Sequence, residues 1–88
     1  MTYRAELSAE ALRELHGFPR DAFKALTEAM AVVVENPYDP LRTLPTSDEQ
    51  VRRVTFGDWG TATYVVTDAP EIVRVVHITW AGGSRFPR

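Results

Sequence analysis

The chain has 88 residues, enough for one domain and no second core, so residues 1–88 are read as a single folding unit. It has no cysteine, which excludes disulfides and thiolate metal sites, and His16 and His77 share no ligand-like spacing, so neither a metal nor a cofactor is expected. The net charge is −2, with four basic against six acidic residues up to residue 36 and six against six beyond it, whereas a protein that lives on phosphate backbones is usually basic.

The opening "MTYRAELSAE" has no long apolar region of the signal-peptide kind. Within it Tyr3, Ala5 and Leu7 alternate with Arg4 and Glu6, the period of a short half-buried strand. Ser8 then caps a short helix, "AEALRELH", which Gly17 ends. Pro19 stands near the first position of a second helix, where its missing N–H is harmless. Ala22, Phe23, Leu26, Ala29, Met30, Val33 and Val34 recur at spacings of three and four and form one apolar stripe down four turns. Asn36-Pro37 stops that helix. Leu12 and Leu15 suggest that the first helix lies antiparallel against the second.

The longest apolar run, residues 29 to 34, is far short of the roughly 20 residues that cross a bilayer. A soluble cytoplasmic protein with no membrane partner is therefore expected. "PYDPLRTLPTSDEQ", with three prolines, reads as a loop. "VRRVTF", "TATYVVT" and "IVRVVHITW" are rich in Val, Ile, Thr and aromatics and read as three strands of a meander. "GDWG" and "DAPE" are the turns between them. Tyr64 lies mid-strand with Ala62 and Val66 and is expected in the core. The order β-α-α-β-β-β predicts an α+β fold. Two N-terminal helices would cover one face of a mostly antiparallel four-stranded sheet and leave the other face free. The first strand has no hairpin neighbour, so it must pair within the C-terminal meander.

This order, with "YRAEL", "ALRELHGFP", "FKALTEAMAVVVENP", "DPLRTL", "VRRVTFGDW", "TYVVTD" and "IVRVVHITW" in sequence, resembles the RelE/ParE superfamily of bacterial toxin–antitoxin proteins over nearly the whole chain. The resemblance implies a small toxin silenced by a cognate antitoxin. RelE-like members enter the ribosome and cut messenger RNA without a metal, the 2′-hydroxyl attacking the adjacent phosphate with help from basic and acid–base side chains. ParE-like members instead poison DNA gyrase. The family's cutters place an arginine just after the first meander turn, where this chain has Gly60-Thr61. They follow the last strand with a basic group and a tyrosine, where this chain has Trp80-Ala81 and Phe86.

The residues left to carry chemistry are few. His77 can exchange protons near neutral pH and is the candidate general base, against its reading as a sheet histidine among valines. Arg85, on the tail after Gly82-Gly83, is the second catalytic candidate, and Arg88 beside it is a candidate for gripping RNA. Arg52 and Arg53 are the other RNA-binding candidates. Alternation sends one toward the helices and one to the free face, and both can equally be solvated. The same alternation groups His77 with Val73, Val75 and Thr79, and Arg74 with Ile72, Val76, Ile78 and Trp80. Trp59 and Trp80 are candidates for partner contact with an antitoxin or a second copy in a homodimer, for core packing, or for stacking on bases. The specific expectation is ribosome-dependent cleavage of mRNA. A gyrase-directed toxin without chemistry and a non-toxic interaction module are the alternatives.

Overall fold

The computed structural model describes residues 2–58 and 60–80. The elements are β1 (Arg4–Leu7), α1 (Ala9–Leu15), α2 (Arg20–Glu35), β2 (Thr43–Pro45), β3 (Val51–Phe56), β4 (Gly60–Asp68) and β5 (Glu71–Trp80). They build an α+β fold around one sheet of order β1-β5-β4-β3-β2. β1 pairs parallel with β5, and every other pairing is antiparallel. The first strand thus joins the C-terminal meander, as its isolation in the sequence requires.

The sheet has five strands rather than four. The fifth, β2, lies inside the proline-rich segment read as a loop, and pairs with β3 at the sheet edge. Three residues are too few to show alternation. Pro45 is tolerated there because an edge strand has one side with no ladder to donate to. Side-chain bonds hold the segment: the Thr43 hydroxyl donates to the Asp39 carbonyl at 2.6 Å and accepts from Arg52 Nε at 2.9 Å.

The helices start where their caps say. Ser8 Oγ accepts the Ala11 N–H at 3.0 Å, and Pro19 precedes the first residue of α2. Ala22, Leu26 and Val33 of α2 are buried against Val54, Phe56, Ala62, Tyr64, Val66, Val73, Val75 and Ile78 of the sheet. α1 departs from expectation. It packs chiefly along β5 through buried Ala11, while Leu12 stays half exposed instead of meeting α2. The reason is backbone pairing: β1 ends at Leu7, the Ser8 N–H donates to the Val75 carbonyl at 2.9 Å, and the chain enters α1 directly beside β5.

Two glycines shape the β3–β4 turn. Gly57 has φ +58°, the left-handed conformation that side chains resist. Gly60 faces the helices beneath the Phe56 ring, which a Cβ would overlap. Phe56 is buried and has little room to yield. Gly60→Ala is expected to lower unfolding free energy by about 1–3 kcal/mol through overpacking, read as a lower urea midpoint at unchanged slope. An unchanged midpoint would show that Phe56 can swing aside.

The open end of the helix face is closed by two phenols on one carboxylate. Tyr3 donates to Asp68 at 2.8 Å and Tyr38 donates to it at 3.2 Å. The hydrogen bond to Asp68, then burial and the carboxylate's charge, push the Tyr3 phenol from 10.0 up to about 12. Burial first, then Asp68, raises Tyr38 as well. The folded protein therefore holds these protons more tightly than the unfolded chain. Their stabilisation is complete below the ordinary phenol pKa and is lost as pH rises through the folded value. The thermal midpoint should be unaffected by these phenols up to about pH 10 and fall toward about pH 12, and Tyr3→Phe should flatten that fall. An equal fall in Tyr3→Phe would remove Tyr3 as a cause.

Candidate functional site

The helices cover one face of the sheet, and the other is open. The exposed face carries Arg4 and Glu6 from β1, Arg53 and Thr55 from β3, Thr61 and Thr63 from β4, and Arg74, His77 and Thr79 from β5. Among the described strand residues, three arginines stand there against one glutamate, so a chain that is acidic overall presents basic strands on this face. Arg74 and Glu6 are register partners and form an ion pair at 3.1 Å. Both are partly exposed, so the pair adds little to stability.

His77 reaches this face through a bulge. The β4–β5 register runs from Tyr64 opposite Val75 to Thr63 opposite His77, which leaves Val76 as the extra residue. The bulge reverses the alternation beyond it. Val73 and Val75 before it and Ile78 after it are all buried, while Arg74, His77 and Thr79 are exposed. Simple alternation had grouped His77 with Val73 and Val75, and Arg74 with Ile78 and Trp80. The extra residue corrects both groupings.

The result is a cross-strand row. Arg53 is the register partner of Thr63, and Thr63 is the partner of His77. Strands lie about 4.8 Å apart, so the Arg53 and His77 backbones are about 10 Å apart, a span that two long side chains can close around one phosphate. Thr55, Thr61 and Thr79 form the next row and add hydroxyls. One carboxylate backs the histidine: Glu14 of α1 lies 2.9 Å from His77 Nδ1 through Oε2, and its Oε1 accepts the Ile78 N–H at 2.7 Å.

Arg52 and Arg53 separate as alternation requires, and only Arg53 is on the open face. Arg52 points toward the helices, bonds Thr43, and lies 6.0 Å from the centre of the Tyr38 ring. Trp80 also faces the helices, where its ring lies 6.0 Å from that of Phe18. It is half-buried at the rim of the core, away from the Arg53–His77 row. Trp59, Arg85 and Arg88 lie outside the described residues. Among the described residues no group of three metal-ligating side chains converges, and no helix is long and apolar enough to cross a membrane. Glu14 and the bulge were not anticipated. Nothing in "AEALREL" distinguishes Glu14 from Glu10 until α1 is placed against β5.

Two of the depressions among the described residues bear on function. A polar cleft of about 660 Å³ is lined by Tyr38, Ser47, Asp48, Glu49, Gln50 and Asp68, and its acids would repel a phosphate. An apolar groove of about 270 Å³ runs between β1, α1 and α2 over Leu7, Leu15, Phe23, Leu26 and Met30. Leu7 and Phe23 are left about half exposed in it.

Neither a family model nor a curated protein matches the sequence. Solved structures do match. A mutant of the E. coli toxin RelE in the free state superposes with a TM-score of 0.80 at 20% identity, over 97% of this chain and 90% of that one. The toxin–antitoxin complex RelBE2 from Mycobacterium tuberculosis gives 0.77 at 18%, over 91% and 99%. The archaeal RelE–RelB complex from Pyrococcus horikoshii gives 0.71 at 20%, over 93% and 98%. The likeness spans both helices and the sheet, and on it the chain has the RelE-like fold.

Proposed function

We propose that this protein is the toxin of a toxin–antitoxin pair and that it cleaves messenger RNA on the ribosome. The observation that carries the chemistry is the Arg53–Thr63–His77 row, which the bulge at Val76 completes on a basic open face. In this reading Arg53 holds the scissile phosphate and offsets the charge that builds on it. His77 takes the proton of the 2′-hydroxyl. Arg85 and Arg88 are proposed to add cationic contacts from the tail. The RelE toxins of like fold, solved alone and with their antitoxins, supply the biological setting. A cognate antitoxin with apolar side chains suits the groove at Leu7 and Phe23. The same groove favours the second reading, a toxin or module that acts only by binding protein.

The test is a cell-free translation reaction with the purified protein and mapping of new RNA 5′ ends on a translated message. Ribosome-dependent ends are expected, and Arg53→Ala is expected to reduce them about 10–100-fold through the loss of one phosphate contact. Full-rate translation with no new ends would overturn cleavage and leave the protein-binding reading.

A further inference from the structure

We propose that Glu14 is a positioning residue that fixes which nitrogen of His77 faces the RNA, a role that rests on the cleavage reading above. An ionised carboxylate can only accept hydrogen bonds. At 2.9 Å from Nδ1, Glu14 Oε2 therefore holds the imidazole with its proton on Nδ1 and the lone pair on Nε2. Nδ1 is turned to α1, so Nε2 is the nitrogen left for the open face. Glu14 is held in turn by the sheet. Its other oxygen takes the Ile78 N–H at 2.7 Å, a donor left without a strand partner because β1 pairs with β5 only as far as Val75. The carboxyl side chain is only 26% exposed, against 53% for the imidazole, so the histidine reaches solvent while its support is shielded.

The 2′-oxygen forms a bond to phosphorus as its proton passes to His77 Nε2. The bond from phosphorus to the 5′-oxygen breaks, and that oxygen takes a proton from water. The products are a 2′,3′-cyclic phosphate and a 5′-hydroxyl end. The imidazolium formed then returns its proton to solvent.

Glu14→Gln separates this role from a structural one. The amide oxygen can still accept the Ile78 N–H, so the fold and the thermal midpoint should hold. The amide nitrogen can only donate to Nδ1, which forces the imidazole proton onto Nε2 and removes the base. Nitrogen-15 NMR of the His77 ring above neutral pH is expected to show the Nδ1–H form in the wild type and the Nε2–H form in Glu14→Gln. Cleavage by the variant in the translation reaction is expected to fall about 100-fold or more. A wild-type ring protonated on Nε2, or a variant that cleaves at the wild-type rate, overturns the proposal. Failure of the cleavage reading itself looks different: wild type and variant are then equally inactive, and the positioning role falls with the reading.

Discussion

His77→Ala is expected to lower the rate of ribosome-dependent cleavage about 10²–10⁴-fold while leaving the fold unchanged. The size follows from the role. A general base placed on the reacting proton contributes that range, and the threonines of the neighbouring positions have no comparable basicity. The fold should tolerate the change because His77 lies on the exposed face, where its ring fills no core space. What is lost is a partly exposed contact with Glu14, and Glu14 keeps its bond to Ile78. The measurement is single-turnover cleavage in the translation reaction, paired with a thermal midpoint for each protein. Loss of activity together with loss of fold would make His77 structural. Full activity at an unchanged midpoint would exclude it as the base and direct attention to the tail bearing Arg85.

Tyr64→Ala is expected to have the largest effect on stability. Tyr64 is fully buried at the centre of the sheet, between Arg52 on β3 and Val75 on β5. Its hydroxyl donates to the Pro37 carbonyl at 2.7 Å, just beyond the end of α2. Burial raises the phenol's pKa, so the donor stays protonated well into alkali. Removing a buried aromatic costs about 3–5 kcal/mol. A domain of 88 residues has roughly 4–13 kcal/mol in total, so Tyr64→Ala removes about a quarter of it or more. Tyr64→Phe keeps the ring and leaves only the Pro37 carbonyl without its donor, at about 1–3 kcal/mol. Urea unfolding of the two variants should rank them in that order. Equal losses would mean that the hydroxyl, and not the ring, holds α2 to the sheet.

The sequence carried the elements better than their company. Both helices announce themselves through Ser8, Pro19, Asn36 and a stripe of period 3.6, all local signals that act within a few residues. The meander shows itself by β-branched runs and two turns. β2 does not: its three residues pair with β3 and are fixed by the Thr43 hydroxyl's bonds to Asp39 and Arg52, with no pattern of their own. The candidate row on the open face was half legible. Arg53 and His77 could be named, but their shared row depends on one extra residue at Val76, and a run of "VRVVH" reads equally well with or without it. Glu14 was invisible for another reason. It meets His77 only because β1 stops at Leu7, and it lies 63 positions away in the chain.

The parallel pairing of β1 with β5 also orders events in time. Arg4 is the register partner of Ile72, so forming that ladder closes a loop of about 68 residues, an entropy cost of about 4 kcal/mol before any contact is gained. β3, β4 and β5 need only short turns and should assemble first. Substitutions at Ala5 and Leu7 are then expected to speed unfolding and leave the refolding rate nearly unchanged. Arg53, Thr63 and His77 all belong to that early meander. Glu14 arrives with β1 and α1, so the residue proposed to set the histidine's proton belongs to the last segment to dock. In the proposed reading, a refolding chain would form the Arg53–Thr63–His77 row before Glu14 reached His77, and activity would lag behind the sheet.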